Sequence, residues 1–155
     1  LLAENRTVYF KNYRIGGTPQ AAASLGFRYN SPKFWFIGSN LNYFGKVYID
    51  ATPDRRTAEA LEGLVVTDPD WKEILYQQKM DDGFTLDVFG GKSWRVANKY
   101  YLRANLSISN VLNNQNLTVL AFEQLRTDYR DIDRFPPKMA YMYGTNFFLN
   151  VSFNF

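Results

Sequence analysis

The stretch Phe147-Phe148-Leu149-Asn150-Val151-Ser152-Phe153-Asn154-Phe155 decides the fold. Phe147, Leu149, Val151, Phe153 and Phe155 take alternate positions, with Phe148, Asn150, Ser152 and Asn154 between them. Side chains of a strand point to opposite faces with a period of two, so one predicted face is wholly apolar and the other mostly small and polar. Upstream, Tyr141, Tyr143 and Thr145 extend the first set and Met142, Gly144 and Asn146 the second. The predicted last strand therefore runs from 141 to 155, enough to cross a bilayer, for which about 9–11 tilted residues suffice.

The same code recurs upstream. Tyr100, Leu102, Ala104, Leu106 and Ile108 alternate with Tyr101, Arg103, Asn105, Ser107 and Ser109. The polar link Ala97-Asn98-Lys99 predicts a tight hairpin to a strand running from Phe84 to Trp94. Asn30-Ser31-Pro32-Lys33 reads as a turn between a strand holding Ala23, Leu25, Phe27 and Tyr29 and one holding Trp35, Ile37, Leu41 and Tyr43. Another turn is marked at Gly16-Gly17-Thr18-Pro19, and a further strand is expected around 7–15. The connections then alternate between short turns and long loops, at 51–82 and 113–137. Aromatics gather at both ends: Phe34, Trp35, Trp94, Tyr100 and Phe155 by the short turns, and Tyr43, Phe44, Tyr48, Tyr141 and Tyr143 by the long loops. Short turns on one side, long loops on the other and an aromatic girdle at each interface are the habit of outer-membrane barrels.

Composition fits strands. Of 155 residues 17% are aromatic, and aromatics favour strands, yet mean hydropathy is only −0.35. The net charge of +3 shows no basic block, so no nucleic-acid partner is expected. With no Cys and no His, the chain offers no disulfide, no thiolate or imidazole ligand and no imidazole base. No catalytic residue, metal or cofactor is expected. The run Gly90-Gly91-Lys92-Ser93 resembles the end of a phosphate-binding loop, but Leu86 stands where its first glycine belongs and a strand follows rather than a helix. Acidic residues in the loops, such as Asp68, Asp70, Asp131 and Asp133, lack calcium-loop spacing and read as solvated charge.

Within the first long loop, Asp68-Pro69 predicts a helix start, with Trp71, Ile74, Leu75 and Gln78 on one face, and a second short helix is expected over 57–64. The inward set is polar: Arg28, Asn30, Asn40, Asn42, Asp87, Arg103, Asn105, Asn146 and Asn150 would line a lumen. A small closed barrel fills its interior with side chains, so this many amides and charges point to a wide barrel with a polar interior.

Several stretches, in order and spacing, resemble the C-terminal portion of TonB-dependent outer-membrane receptors of the kind that carries a regulatory domain. They are Asp50-Ala51-Thr52-Pro53-Asp54-Arg55-Arg56-Thr57, Gly91-Lys92-Ser93-Trp94, Ser109-Asn110-Val111-Leu112-Asn113-Asn114, Glu123-Gln124-Leu125-Arg126 and Arg134-Phe135-Pro136-Pro137-Lys138. The ending is similar to the terminal barrel strand that the barrel-assembly machinery reads in that class. One departure is Ala121, where a glycine often precedes the aromatic-Glu-Gln stretch.

The resemblance implies an all-β fold: residues 1–155 as part of one antiparallel transmembrane β-barrel domain, giving about the last six of about 22 strands. The chain is then expected to be a fragment, because six strands cannot close around a plug. The implied function is TonB-dependent import of a nutrient across the bacterial outer membrane, with the C-terminus in the periplasm. It is not that of an enzyme. The implied partners are the rest of the barrel and its plug, the TonB complex, the barrel-assembly machinery and the lipid bilayer; a surface lipoprotein lid is left open. Phe147, Leu149, Val151, Phe153 and Phe155 would form the closing strand and assembly signal, and Trp71, Arg126, Tyr129 and Arg130 are the candidate ligand contacts. The alternative is a barrel without transport: a structural protein, an adhesin or a secretion channel.

Overall fold

The computed structural model describes residues 6–128 and 131–155, and the fold is all-β with one short helix. The strands are β1 (Ala21–Ser31), β2 (Trp35–Gly45), β3 (Gly83–Val96), β4 (Tyr100–Ser109), β5 (Thr118–Phe122), β6 (Lys138–Tyr141) and β7 (Asn146–Asn154); the helix α1 spans Pro69–Leu75. The chain divides into two compact units.

One unit is an open antiparallel wall. It holds five strands in the order β1-β2-β3-β4-β7, each hydrogen-bonded to the next, with β1 and β7 as its edges. The two short connections lie at one end. Between β3 and β4, Ala97 (φ 49°) and Asn98 (φ 57°) both sit in the left-handed region and the Lys99 N–H donates to the Val96 carbonyl at 3.2 Å. That is a type I′ turn, whose twist matches the strands it joins. Between β1 and β2, the Phe34 N–H closes on the Ser31 carbonyl at 3.2 Å, with Phe34 itself left-handed (φ 60°).

The other unit gathers the described residues among 1–20, 46–81 and 118–140. Its core is Val47, Ile49, Met80 and Ala121, with Met139 packed against them. The extended segment through Ile49 runs down its middle. On one side the Ile49 N–H bonds the Gln78 carbonyl and the Met80 N–H the Val47 carbonyl; on the other the Asp50 N–H bonds the Ala121 carbonyl at 2.8 Å. Gly16 packs so closely over the Asp50 backbone that no side chain would fit there. Strands β5 and β6 pair as a small separate sheet.

Four expectations need correction. Residues 7–15 form no strand: Val8 makes only an isolated bridge to Thr57, and Asn12 turns into the left-handed region (φ 62°), outside the extended backbone of a regular strand. The wall therefore has five strands where about six were expected. The last strand begins at Asn146 rather than 141, because Tyr141 ends β6. The helix predicted over 57–64 is only a 3-10 turn at Glu59–Leu61. Finally, α1 starts at Pro69 as expected but ends at Leu75, before Gln78, and its Asp68 carboxylate accepts the Val65 N–H at 2.8 Å instead of capping the helix.

Candidate functional site

The wall has two chemically different faces, and the strand register fixes which residue lies on which. Directly opposed residues of an antiparallel pair share a face. The row Tyr29↔Ile37↔Gly90↔Leu106↔Leu149 and the row Phe27↔Ser39↔Val88↔Ile108↔Phe147 run across all five strands. With Leu25↔Leu41↔Leu86 and Trp94↔Leu102↔Phe153 they make one face almost wholly apolar. Many side chains of this face are exposed, among them Leu25 at 74%, Phe147 at 78%, and Leu149 and Val151 at 59%, while Leu86, Val88, Leu102 and Ile108 are half-buried. Among the described residues of this unit, Leu117 is the sole buried hydrophobic. A soluble monomer rarely leaves so large a contiguous apolar surface uncovered.

The opposite face carries Arg28, Asn30, Asn40, Asn42, Asp87, Arg103, Asn105, Asn146 and Asn150, by the pairs Arg28↔Gly38, Asn30↔Phe36, Asn40↔Asp87, Asn42↔Thr85, Arg103↔Ser152, Asn105↔Asn150 and Ser109↔Asn146. A hydrogen-bond chain crosses it near the long-loop end. Ser24 Oγ donates to Asn42 Oδ1 at 2.8 Å, Asn42 Nδ2 donates to Asp87 Oδ2 at 2.9 Å, and the Asn110 N–H donates to Asp87 Oδ1 at 2.9 Å. Phe36 and Phe89 also sit here, their rings over the bare backbones of Gly91 and Gly38, with the Arg28 guanidinium 4.3 Å from the Phe36 centroid. Large rings covering strand glycines restore packing that glycine alone cannot supply.

Asn110 organises the exit from β4. It is buried, left-handed (φ 53°) and fully engaged. Its Nδ2 donates to the Asn114 and Tyr143 carbonyls at 2.9 and 3.0 Å, its Oδ1 accepts the Asn114 N–H at 3.0 Å, and its carbonyl accepts the Thr145 hydroxyl at 2.8 Å. Asn is among the few residues that tolerate this backbone region.

In the loop unit, chemistry centres on Arg56. Its residue is 1% exposed, yet each of its five N–H donors has an acceptor. Nε donates to the Tyr13 hydroxyl at 2.6 Å; Nη1 to the Thr52 carbonyl at 3.0 Å and to Glu123 Oε2 at 2.5 Å; Nη2 to the Tyr76 carbonyl at 3.1 Å and to Glu123 Oε1 at 2.6 Å. The Thr52 N–H donates to the same Glu123 carboxylate at 2.7 Å, and the Tyr13 hydroxyl donates onward to the Leu75 carbonyl. Burial lowers the tendency of Arg56 to hold its charge, but the bonds to Glu123 and Tyr13 outweigh it and its pKa stands above the ordinary value. Burial raises the Tyr13 phenol above its usual value of 10.0, against the opposing pull of Arg56. A forked guanidinium on a carboxylate is the strongest common form of ion pair. Here it ties the chain near Tyr13 to both long loops.

Beside this clasp lies a cleft of about 630 Å³, bordered by Arg55, Lys72, Glu73, Tyr76, Glu123 and Asp133, with Pro69, Pro136 and Pro137 as apolar walls. Arg55 is engaged on the Ile132 and Phe135 carbonyls. Lys72, Glu73 and Asp133 carry charges of both signs at its border, so the cleft suits a polar ligand held by hydrogen bonds.

Of the candidate ligand contacts, Tyr129 and Arg130 lie outside the described residues. Trp71 packs toward Tyr9, ring centroids 6.4 Å apart, and Arg126 is exposed; neither borders the cleft. Sequence reasoning missed the Arg56–Glu123 pair as a pair, although each residue stands in one of the stretches that carried the family resemblance. Phe147, Leu149, Val151 and Phe153 lie on the apolar face opposite Ile108, Leu106, Ala104 and Leu102. No protein-family model matches this chain, and neither a curated protein nor a solved structure matches it.

Proposed function

We propose that this chain is the closing wall and outer-loop portion of a TonB-dependent outer-membrane receptor that imports a nutrient. The observation that carries the proposal is the largely exposed, mostly apolar face running across five strands, with a polar face behind it. Lipid is the solvent that accepts such a face without a covering layer, and a membrane-spanning sheet must close to satisfy its edges. Five strands with open edges at β1 and β7 fall short of the about eight that the smallest such barrels need. Further strands are therefore required to complete the wall.

The polar face would line the lumen. Two of the resembling stretches, Asp50 to Thr57 and Glu123 to Arg126, meet through Arg56 and Glu123, which supports a shared, ordered outer-loop unit. The cleft beside that pair is the place where a polar ligand would first dwell. Ligand capture by the loops, followed by TonB-driven movement of the plug, would then deliver the nutrient inward.

The test uses the full-length protein in its host. Removal of residues 51–82 and 113–137 should abolish nutrient-dependent growth while the protein still reaches the outer membrane as a heat-modifiable barrel, and deletion of TonB should abolish the same growth. Growth unaffected by both changes would refute transport and leave a structural, adhesive or secretory barrel. A protein found in the soluble fraction would refute the membrane reading itself.

A further inference from the structure

We infer that the apolar face of the wall holds a specific site for an anionic glycerophospholipid at its short-turn end, a reading that rests on the membrane placement proposed above. Three independent features converge there. First, the face is not smooth. Gly90 and Ala104 leave a groove of about 410 Å³ between the bulkier Trp35, Ile37, Leu106 and Leu149. An acyl chain is the shape and polarity that fills such a groove.

Second, a cation sits in this otherwise apolar face. The register Trp35↔Lys92↔Ala104↔Val151 puts Lys92 in the same rows as the groove residues, and it borders the groove. Its Nζ lies 5.5 Å from the centroid of Trp94, the next residue on that face toward the Ala97-Asn98-Lys99 turn. A lysine stem that lies along apolar surface with its ammonium reaching to the interface is the snorkelling arrangement, and it places the charge where a lipid headgroup would be.

Third, side-chain charge at this end has one sign. The stretches 28–38, 89–105 and 149–155 contain six cations and no Asp or Glu; Arg28, Arg95 and Arg103 lie on the polar face, which leaves Lys92 on the groove's face and Lys33 and Lys99 in the turns. The wall's own acids are Asp82, just before β3, and Asp87, in the half of β3 toward the long loops. Lys33 and Lys99 occupy the two short turns, and the Lys99 Nζ stands 5.2 Å from the Tyr100 ring. Snorkelling alone would place one lysine at the interface; it gives no reason for a groove beside it or for the lack of acidic side chains in these three stretches. A phosphodiester with an acyl tail accounts for all three.

The experiment is tryptophan quenching by lipids brominated on their acyl chains. The full-length protein, carrying Trp71→Phe so that Trp35 and Trp94 report for this segment, is placed in bilayers of phosphatidylethanolamine and phosphatidylglycerol with one or the other brominated; the same protein with Trp35 and Trp94 replaced by Phe supplies the background from the rest of the chain. One lysine near a membrane surface attracts anionic lipid by roughly fivefold. Quenching by the phosphatidylglycerol should therefore exceed its bulk share by about that factor, fall to the bulk share in Lys92→Gln, and persist in Lys92→Arg and in excess inorganic phosphate. Equal quenching by both lipids in the parent protein would overturn the site while leaving the wall in lipid. Quenching by neither lipid would overturn the membrane placement together with the site.

Discussion

Removing the Glu123 carboxylate should loosen the loop unit by about 3 kcal/mol without unfolding the wall. The figure follows from what the carboxylate holds. In Glu123→Ala, Arg56 Nη1 and Nη2 each lose one of their two acceptors, the Thr52 N–H loses its acceptor, and Arg56 remains buried with its charge. Breaking a buried ion pair from one side costs about 3–5 kcal/mol. The lower end applies because Glu123 borders the cleft, from which water can reach the stranded donors. Hydrogen exchange on the full-length protein reads the effect. The amides of Tyr9, Asp50 and Glu123, bonded to the carbonyls of Arg56, Ala121 and Asp50, report opening of this unit. Their exchange should accelerate by about a hundredfold or more, at 1.4 kcal/mol per tenfold, while amides in the β3–β4 pairing serve as the reference. Glu123→Gln should fall between, since it keeps one acceptor. The double change Arg56→Met with Glu123→Leu should recover most of the loss, because apolar groups of similar volume often replace a buried pair without penalty. Acceleration below about fivefold in Glu123→Ala would refute the claim that this pair holds the loops together.

Other consequences are as direct. Asn110→Ala removes three buried side-chain hydrogen bonds and forces a left-handed alanine, so it should destabilise the full-length protein by about 2–4 kcal/mol in denaturant titration. Ala97→Gly relieves the left-handed strain of the β3–β4 turn and should stabilise by about 1 kcal/mol in the same titration. Leu149→Arg should cost about 2–4 kcal/mol in folding into liposomes, if the residue sits deep in lipid, whereas Asn150→Arg should cost far less. The raised pKa of Tyr13 means the folded state holds that proton more tightly than the unfolded chain does. Its contribution is therefore full below pH 10 and lost as pH climbs through the folded value, so protection of the loop-unit amides, taken relative to their base-catalysed intrinsic exchange, should fall at high pH in the parent and much less so in Tyr13→Phe.

The wall was legible because period-two alternation is a local signal. Each of β1, β2, β3, β4 and β7 shows it within its own residues, and the short turns carry their own marks in Ser31-Pro32-Lys33 and Ala97-Asn98-Lys99. Residues 7–15 misled because Val8, Tyr9 and Phe10 are strand-forming types, while the decisive event, the left-handed turn at Asn12, depends on context. The β5–β6 pairing escaped because β6 has only four residues and joins β5 across a gap of 15. The clasp was illegible for a different reason: Arg56 and Glu123 stand 67 residues apart, and nothing local distinguishes them from the other loop charges. Only packing that removes both from water selects this pair.

The most direct measurement is spin-label accessibility along β7 in the full-length protein reconstituted in bilayers. Labels at 147, 149, 151 and 153 should be reached by oxygen, which partitions into lipid, and labels at 148, 150 and 152 by a water-soluble nickel chelate. Loss of that alternation, or chelate access at 149 and 151 equal to that at 150, would mean that the oily side of the sheet does not meet lipid.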